Sequence, residues 1–224
     1  VPVLIASRTG GAWHQLASAF LLFPLFLAAV REDRTVRGLA VVGLCFAAHN
    51  AAAIGLSASS AEFGALFPDG PEYWAKQQVW ITTGTDPEYQ VMNWLPAHLQ
   101  LFAGIVLYCF LSLGFVAFIQ GFYEVDLMNF YVGRLIASSD SVAPALLLGW
   151  HPWSALRGLC YLLLVWEVAS WSLERMTGRT LSTPERRMGR WLAACGFFVA
   201  DCVVKLAILE PVRRTLADNL SAPL

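Results

Sequence analysis

Charge is what this chain has least of. Only 14% of its 224 residues are Asp, Glu, Lys or Arg, against roughly 25% in an ordinary soluble domain, and that shortage excludes a soluble globular enzyme. Fifteen Lys and Arg against sixteen Asp and Glu leave a net charge of −1. No field of either sign points to nucleic acid as a partner. Redox and metal cysteine patterns are missing too: Cys45, Cys109, Cys160, Cys195 and Cys202 all sit in apolar runs without a CxxC pair, the pattern of small buried side chains. There is no GxSxG elbow, no phosphate-cradling glycine loop and no HExxH pair, so no catalytic residue is assigned. Residues 1–12 lack an apolar core followed by a small-residue cleavage site, so no signal peptide is expected.

What is present is apolar: 57% of the residues are hydrophobic. The expectation is an all-α, polytopic integral membrane helical bundle, a single transmembrane domain over residues 1–224 with the lipid bilayer as its first partner. Five apolar segments, at about 12–30, 38–56, 97–120, 155–173 and 190–209, each have the length needed to cross a bilayer. The stretch 122–151 is more polar, with Glu124, Asp126, Arg134 and Asp140.

The arginines argue that it crosses as well. Arg31, Arg34 and Arg37 follow the first span, and Arg175, Arg179, Arg186, Arg187 and Arg190 fill the link at 174–190. The positive-inside rule places both links in the cytoplasm, as in a bacterial inner membrane. Both are inside only if 122–151 crosses, which gives about six transmembrane helices with a broken fourth crossing. Gly133, Pro144 and Gly149 are its expected break points, with the polar half shielded by protein. The outer loop 57–95 is too long for a plain connector. Its Tyr73, Trp74 and Trp80 suggest an interfacial helix around 71–82 with aromatics at headgroup level.

Ionisable groups inside a membrane cost at least about 2.5 kcal/mol each at mid-bilayer, so the few that occur there are informative. Glu167 in the fifth span and Asp201 with Lys205 in the sixth form a candidate intramembrane charge network. Asp201 and Lys205 are four apart on one helix face and able to neutralise each other. The second constellation is histidine. His14, His49, His98 and His151 all fall toward the outer face of the six-span topology. Neutral imidazole ligates metals, haem and chlorophyll, so these four are the candidate cofactor-binding residues.

From about residue 95 onward the order of features resembles the stage II sporulation protein M family of polytopic membrane proteins. The resemblance lies in the polar start Leu95-Pro96-Ala97-His98-Leu99, the glycines Gly104, Gly114, Gly121 and Gly133, the turn Gly149-Trp150-His151-Pro152-Trp153, and the stop Leu209-Glu210-Pro211. It departs from the family in having two spans before the long outer loop. The resemblance implies a non-catalytic integral membrane subunit or scaffold that acts with other membrane subunits or as a homo-oligomer, in envelope remodelling or transport. Two readings of the residues stand beside it. One is a cofactor-binding subunit of an energy-transducing or oxidative complex, built on the outer histidines. The other is a small proton- or ion-coupled transporter using the intramembrane charges.

Overall fold

The computed structural model describes residues 2–11, 13–85 and 91–221. Nine α-helices make up these residues: α1 (Pro2–Thr9), α2 (His14–Arg31), α3 (Thr35–Ser59), α4 (Gly70–Thr83), α5 (Val91–Ser112), α6 (Phe115–Ala137), α7 (Val142–Gly149), α8 (Pro152–Thr177) and α9 (Pro184–Asp218), with a 3₁₀ helix at Ala61–Leu66. No strand occurs among the described residues, and the one isolated bridge joins Ser139 to Leu220. The chain is an all-α helical bundle.

Local chemistry explains the boundaries. Proline, whose fixed φ suits a first helical turn and whose missing N–H costs nothing there, opens α4, α8 and α9. Gly84 and Gly178 close α4 and α8 in the left-handed conformation, at φ 72° and 66°. Their N–H groups return to the carbonyls of Trp80 and Glu174.

Five segments are long and apolar enough to cross a membrane: α2, α3, Trp94–Ser112 of α5, the α7–α8 run Val142–Thr177, and α9. Their large apolar side chains are exposed, as at Leu44, Leu111, Leu147 and Leu192, which in water would be a liability and in lipid is the required surface. Helix α6 is a sixth long helix, but it carries Glu124, Asp126 and Arg134.

The span boundaries differ from the expectation at the third span, at the break in the fourth crossing and at the end of the last span, where α9 runs on through Leu209-Glu210-Pro211 to Asp218. The apolar run 97–120 is not one helix, because Leu113 and Gly114 turn the chain at φ 56° and 97°. A Cβ on Gly114 would come within 3.2 Å of Val165 and 3.3 Å of Phe26. The turn residues are apolar, so the hydropathy pattern reads straight through it. Helix α6 then runs unbroken through Gly133, and the interruption falls at residues 138–141. Pro144 lies in the first turn of α7 and Gly149 ends it. Gly133 is required for packing instead: a Cβ there would sit 2.4 Å from Cβ of Ser57 on α3.

Helix α4 falls where an interfacial helix was expected, yet its aromatics face protein. Trp80 is buried, and Tyr73 and Trp74 pack on the ring of Tyr131. Asp86 and Glu88 of the same loop lie outside the described residues.

Two cores organise the bundle. One gathers Phe26, Phe118, Phe122 and Trp166 from α2, α6 and α8. The other gathers Trp80, Tyr131, Trp153 and Leu209 from α4, α6, α8 and α9. The two arginine-rich links meet at one end of the bundle, where Asp33 accepts from Arg186 and Arg190 at 2.9 Å each. At the other end α9 meets α4 and the α6–α7 turn, through Arg213 donating to the Ile81 carbonyl and Asp140 N–H donating to the Asn219 carbonyl.

Candidate metal centre

Three helices bring two of the four candidate histidines to one carboxylate. His14 is the first residue of α2, placed there by a reversal through Gly10 and Gly11, both at positive φ. His49 lies past the midpoint of α3, and Asp126 lies at the middle of α6. All three are buried, at 0%, 2% and 1% relative exposure.

The Asp126 carboxylate is fully engaged. Its Oδ1 is 2.6 Å from His49 Nε2, and its Oδ2 is 2.9 Å from His14 Nε2 and accepts from Gln15 Nε2 at 2.9 Å. The imidazoles lie nearly parallel, with ring centroids 5.9 Å apart. Aromatics wall the cluster: Phe67 meets His14 edge-on, and Phe122, stacked on Phe46, leans against His49. Ser18, one turn after His14, places its Oγ 3.5 Å from His49 Nδ1. His14 Nδ1 has no hydrogen-bond partner among the described residues.

Two imidazole nitrogens and a carboxylate oxygen, all within 4.8 Å of one another, form the donor set of a first-row divalent metal. Tetrahedral bonds of about 2.0–2.1 Å separate neighbouring ligand atoms by roughly 3.3 Å. The two imidazole–carboxylate contacts, 2.6 and 2.9 Å to different oxygens of Asp126, are shorter than that edge by about half an ångström. An ion held by the two Nε2 atoms would need each imidazole to carry its proton on Nδ1, and there His49 has Ser18 Oγ at 3.5 Å as the acceptor a ligating histidine usually needs.

The remaining candidates go elsewhere. His98 lies beside Trp94. His151 stacks on Trp153 and touches the edges of Trp80 and Tyr131. Glu167 accepts from Arg190 Nε. That guanidinium also donates to Asp33 at 2.9 Å, Thr35 at 3.0 Å and Ser182 at 2.7 Å. Asp201 accepts a two-point contact from Arg157 at 2.9 and 3.1 Å, while Lys205 Nζ sits 4.8 Å from the centre of the Trp94 ring. Glu167 thus belongs to the end of the bundle where the arginine-rich links meet, and Asp201 with Lys205 to its interior.

Gln15 and Arg157 carry no signal in the sequence, and Asp126 and Arg190 stand out there only as members of the polar stretch 122–151 and of the basic link 174–190. A signal for Asp126 existed in the polar pair Asp126 and Asn129, three apart on one helical face that Gly133 continues four residues on. Asn129 continues that face, donating to Asn50 and accepting from Trp150. Compared with known protein families, curated proteins and solved structures, the chain matches none.

Proposed function

We propose that this integral membrane protein holds a divalent transition metal inside its bundle, with His14, His49 and Asp126 as ligands, and acts as a cofactor-carrying subunit of a membrane complex. The observation that carries the reading is one buried carboxylate shared by two buried imidazoles on three different helices. An isolated buried charge is costly, and pairing or metal coordination is how membrane interiors tolerate one. A mixed nitrogen and oxygen donor set suits Zn²⁺, Fe²⁺ or Co²⁺. It favours an ion over a haem or chlorophyll, because Asp126 occupies the space between the two Nε2 atoms.

In this reading the arginine-rich links at residues 31–37 and 174–190 face the cytoplasm of a bacterial inner membrane, and the centre lies toward the outer half. A purely structural scaffold, in envelope remodelling or transport, is what the resemblance to the sporulation family favours. The buried cluster favours the cofactor-holding reading. The test is metal titration of the protein purified in mild detergent and stripped with a chelator. One Zn²⁺ or Co²⁺ per chain is expected, lost in His14→Ala and in His49→Ala. A wild-type protein that takes up neither ion overturns the reading.

A further inference from the structure

Three protein ligands leave one tetrahedral position open, and a site with an open position holds water or substrate, whereas a closed one holds only the ion. Gln15 decides between these. Its Nε2 lies 2.9 Å from Asp126 Oδ2, the same oxygen that His14 Nε2 approaches at 2.9 Å. The end of the Gln15 amide is therefore already about one ligand-to-ligand edge from the carboxylate, close to the roughly 3.3 Å of a tetrahedral sphere. A half-turn of the amide about its last torsion exchanges oxygen for nitrogen at that place, at little cost because this torsion is soft. Unlike His14, His49 and Asp126, Gln15 is only partly buried, so its amide is not held on every side as the three ligands are.

Resting on the metal-holding reading above, we propose that Gln15 is the fourth ligand: its Oε1 replaces its Nε2 when the ion arrives, closing a sphere of two imidazoles, one carboxylate and one amide oxygen. In the metal-free protein the same side chain donates to Asp126 and helps hold the carboxylate in place. Gln15 thus has two states, a hydrogen-bond donor before loading and an oxygen ligand after it. No proton is gained or lost at the amide in the exchange. The closed sphere makes the centre one that retains an ion and does not activate water.

Cobalt is the direct probe, because Co²⁺ reports its coordination number through its visible absorption. The stripped full-length protein in detergent is titrated with Co²⁺, alongside Gln15→Ala and Gln15→Glu. Wild type is expected to give the intense bands of a four-coordinate ion. Gln15→Ala is expected to lose affinity by at least about 10-fold, the loss that follows removal even of an outer partner of a ligand, and to give bands that shift with pH, because the water that fills the fourth position can lose a proton where an amide oxygen cannot. Gln15→Glu offers a carboxylate oxygen at the same place, so it is expected to keep the four-coordinate spectrum. It also sets two carboxylates together in the metal-free state, so its melting temperature is expected to rise more on loading than that of wild type. Gln15→Ala with wild-type affinity and spectrum overturns the assignment of Gln15 while leaving the three-residue centre intact. A wild-type protein that binds no Co²⁺ overturns the underlying centre instead.

Discussion

Asp126 is the residue on which the centre turns, since its two oxygens accept from His14 and Gln15 on one helix and His49 on another. The partners of those imidazoles set how strongly each ligates, and only His49 has one in place, at Ser18. Ser18→Ala is therefore expected to lower metal affinity by about 10- to 100-fold while leaving the helix content and monodispersity of the purified protein unchanged. Calorimetric titration of Zn²⁺ measures it, and an unchanged affinity would remove Ser18 from the centre. His14 and His49 were legible in the sequence as imidazoles on the outer half of their spans. Their common partner was not, because Asp126 lies in the stretch 122–151 and read as the polar half of a broken crossing.

Helices α3 and α6 carry His49 and Asp126, and how closely they approach sets the ligand distances. That approach is fixed at Gly133, where an added Cβ would lie 2.4 Å from Ser57 Cβ and 2.8 Å from the backbone at Ala58 and Ile54. Backbone cannot rotate aside, so Gly133→Ala has to push the two helices apart. Overpacking of this kind costs about 1–3 kcal/mol, and a lower melting temperature together with weaker Zn²⁺ binding is expected. Gly121→Ala, on the same helix but with its nearest neighbour the Phe46 ring at 3.5 Å, is the matched control and should keep both. Equal melting temperatures for the two variants would count against the packing argument. The existence of the long helices was legible from apolar length alone. Their division was not, since the turn at Leu113 and Gly114 is as apolar as the spans it joins. Helix rotation was equally hidden in α3, which is apolar almost all round and so shows no preferred face.

Across the whole molecule, two arginine-rich links distant in sequence are fastened at one end of the bundle. Arg190 reaches Glu167, Asp33, Thr35 and Ser182 from a single guanidinium, and Arg186 adds a second contact to Asp33. Burial of Asp33 pushes its carboxyl up, but the hydrogen bond from Arg186 and the charge of Arg190 outweigh it and hold the group below its ordinary value. A depressed carboxyl stabilises the fold at pH values above its unfolded value, about 3.9. That stabilisation is lost as pH falls through the lower folded value. Asp33→Asn is therefore expected to melt below wild type at neutral pH, with the gap closing as the protein is taken toward about pH 3. A gap that stays constant over that range would show that Asp33 does not act through its charge. The arginines themselves stood out in the sequence as two basic links, and the structure brings both to one end of the bundle. Their pairing was not legible there: Asp33 lies more than 150 positions from Arg186 and Arg190, Glu167 sits on the preceding helix 23 positions from Arg190, and periodicity carries no information on which side chains meet across helices.

The central claim is that the buried pair of imidazoles and their shared carboxylate hold a metal ion. Its most direct test is the metal content of the purified full-length protein after chelation and reloading, measured by elemental analysis beside Asp126→Asn, which keeps the shape of the side chain and removes its charge. One Zn²⁺ per chain in wild type and none above background in Asp126→Asn is the expected result. Equal metal content in the two proteins, or none in either, would contradict it.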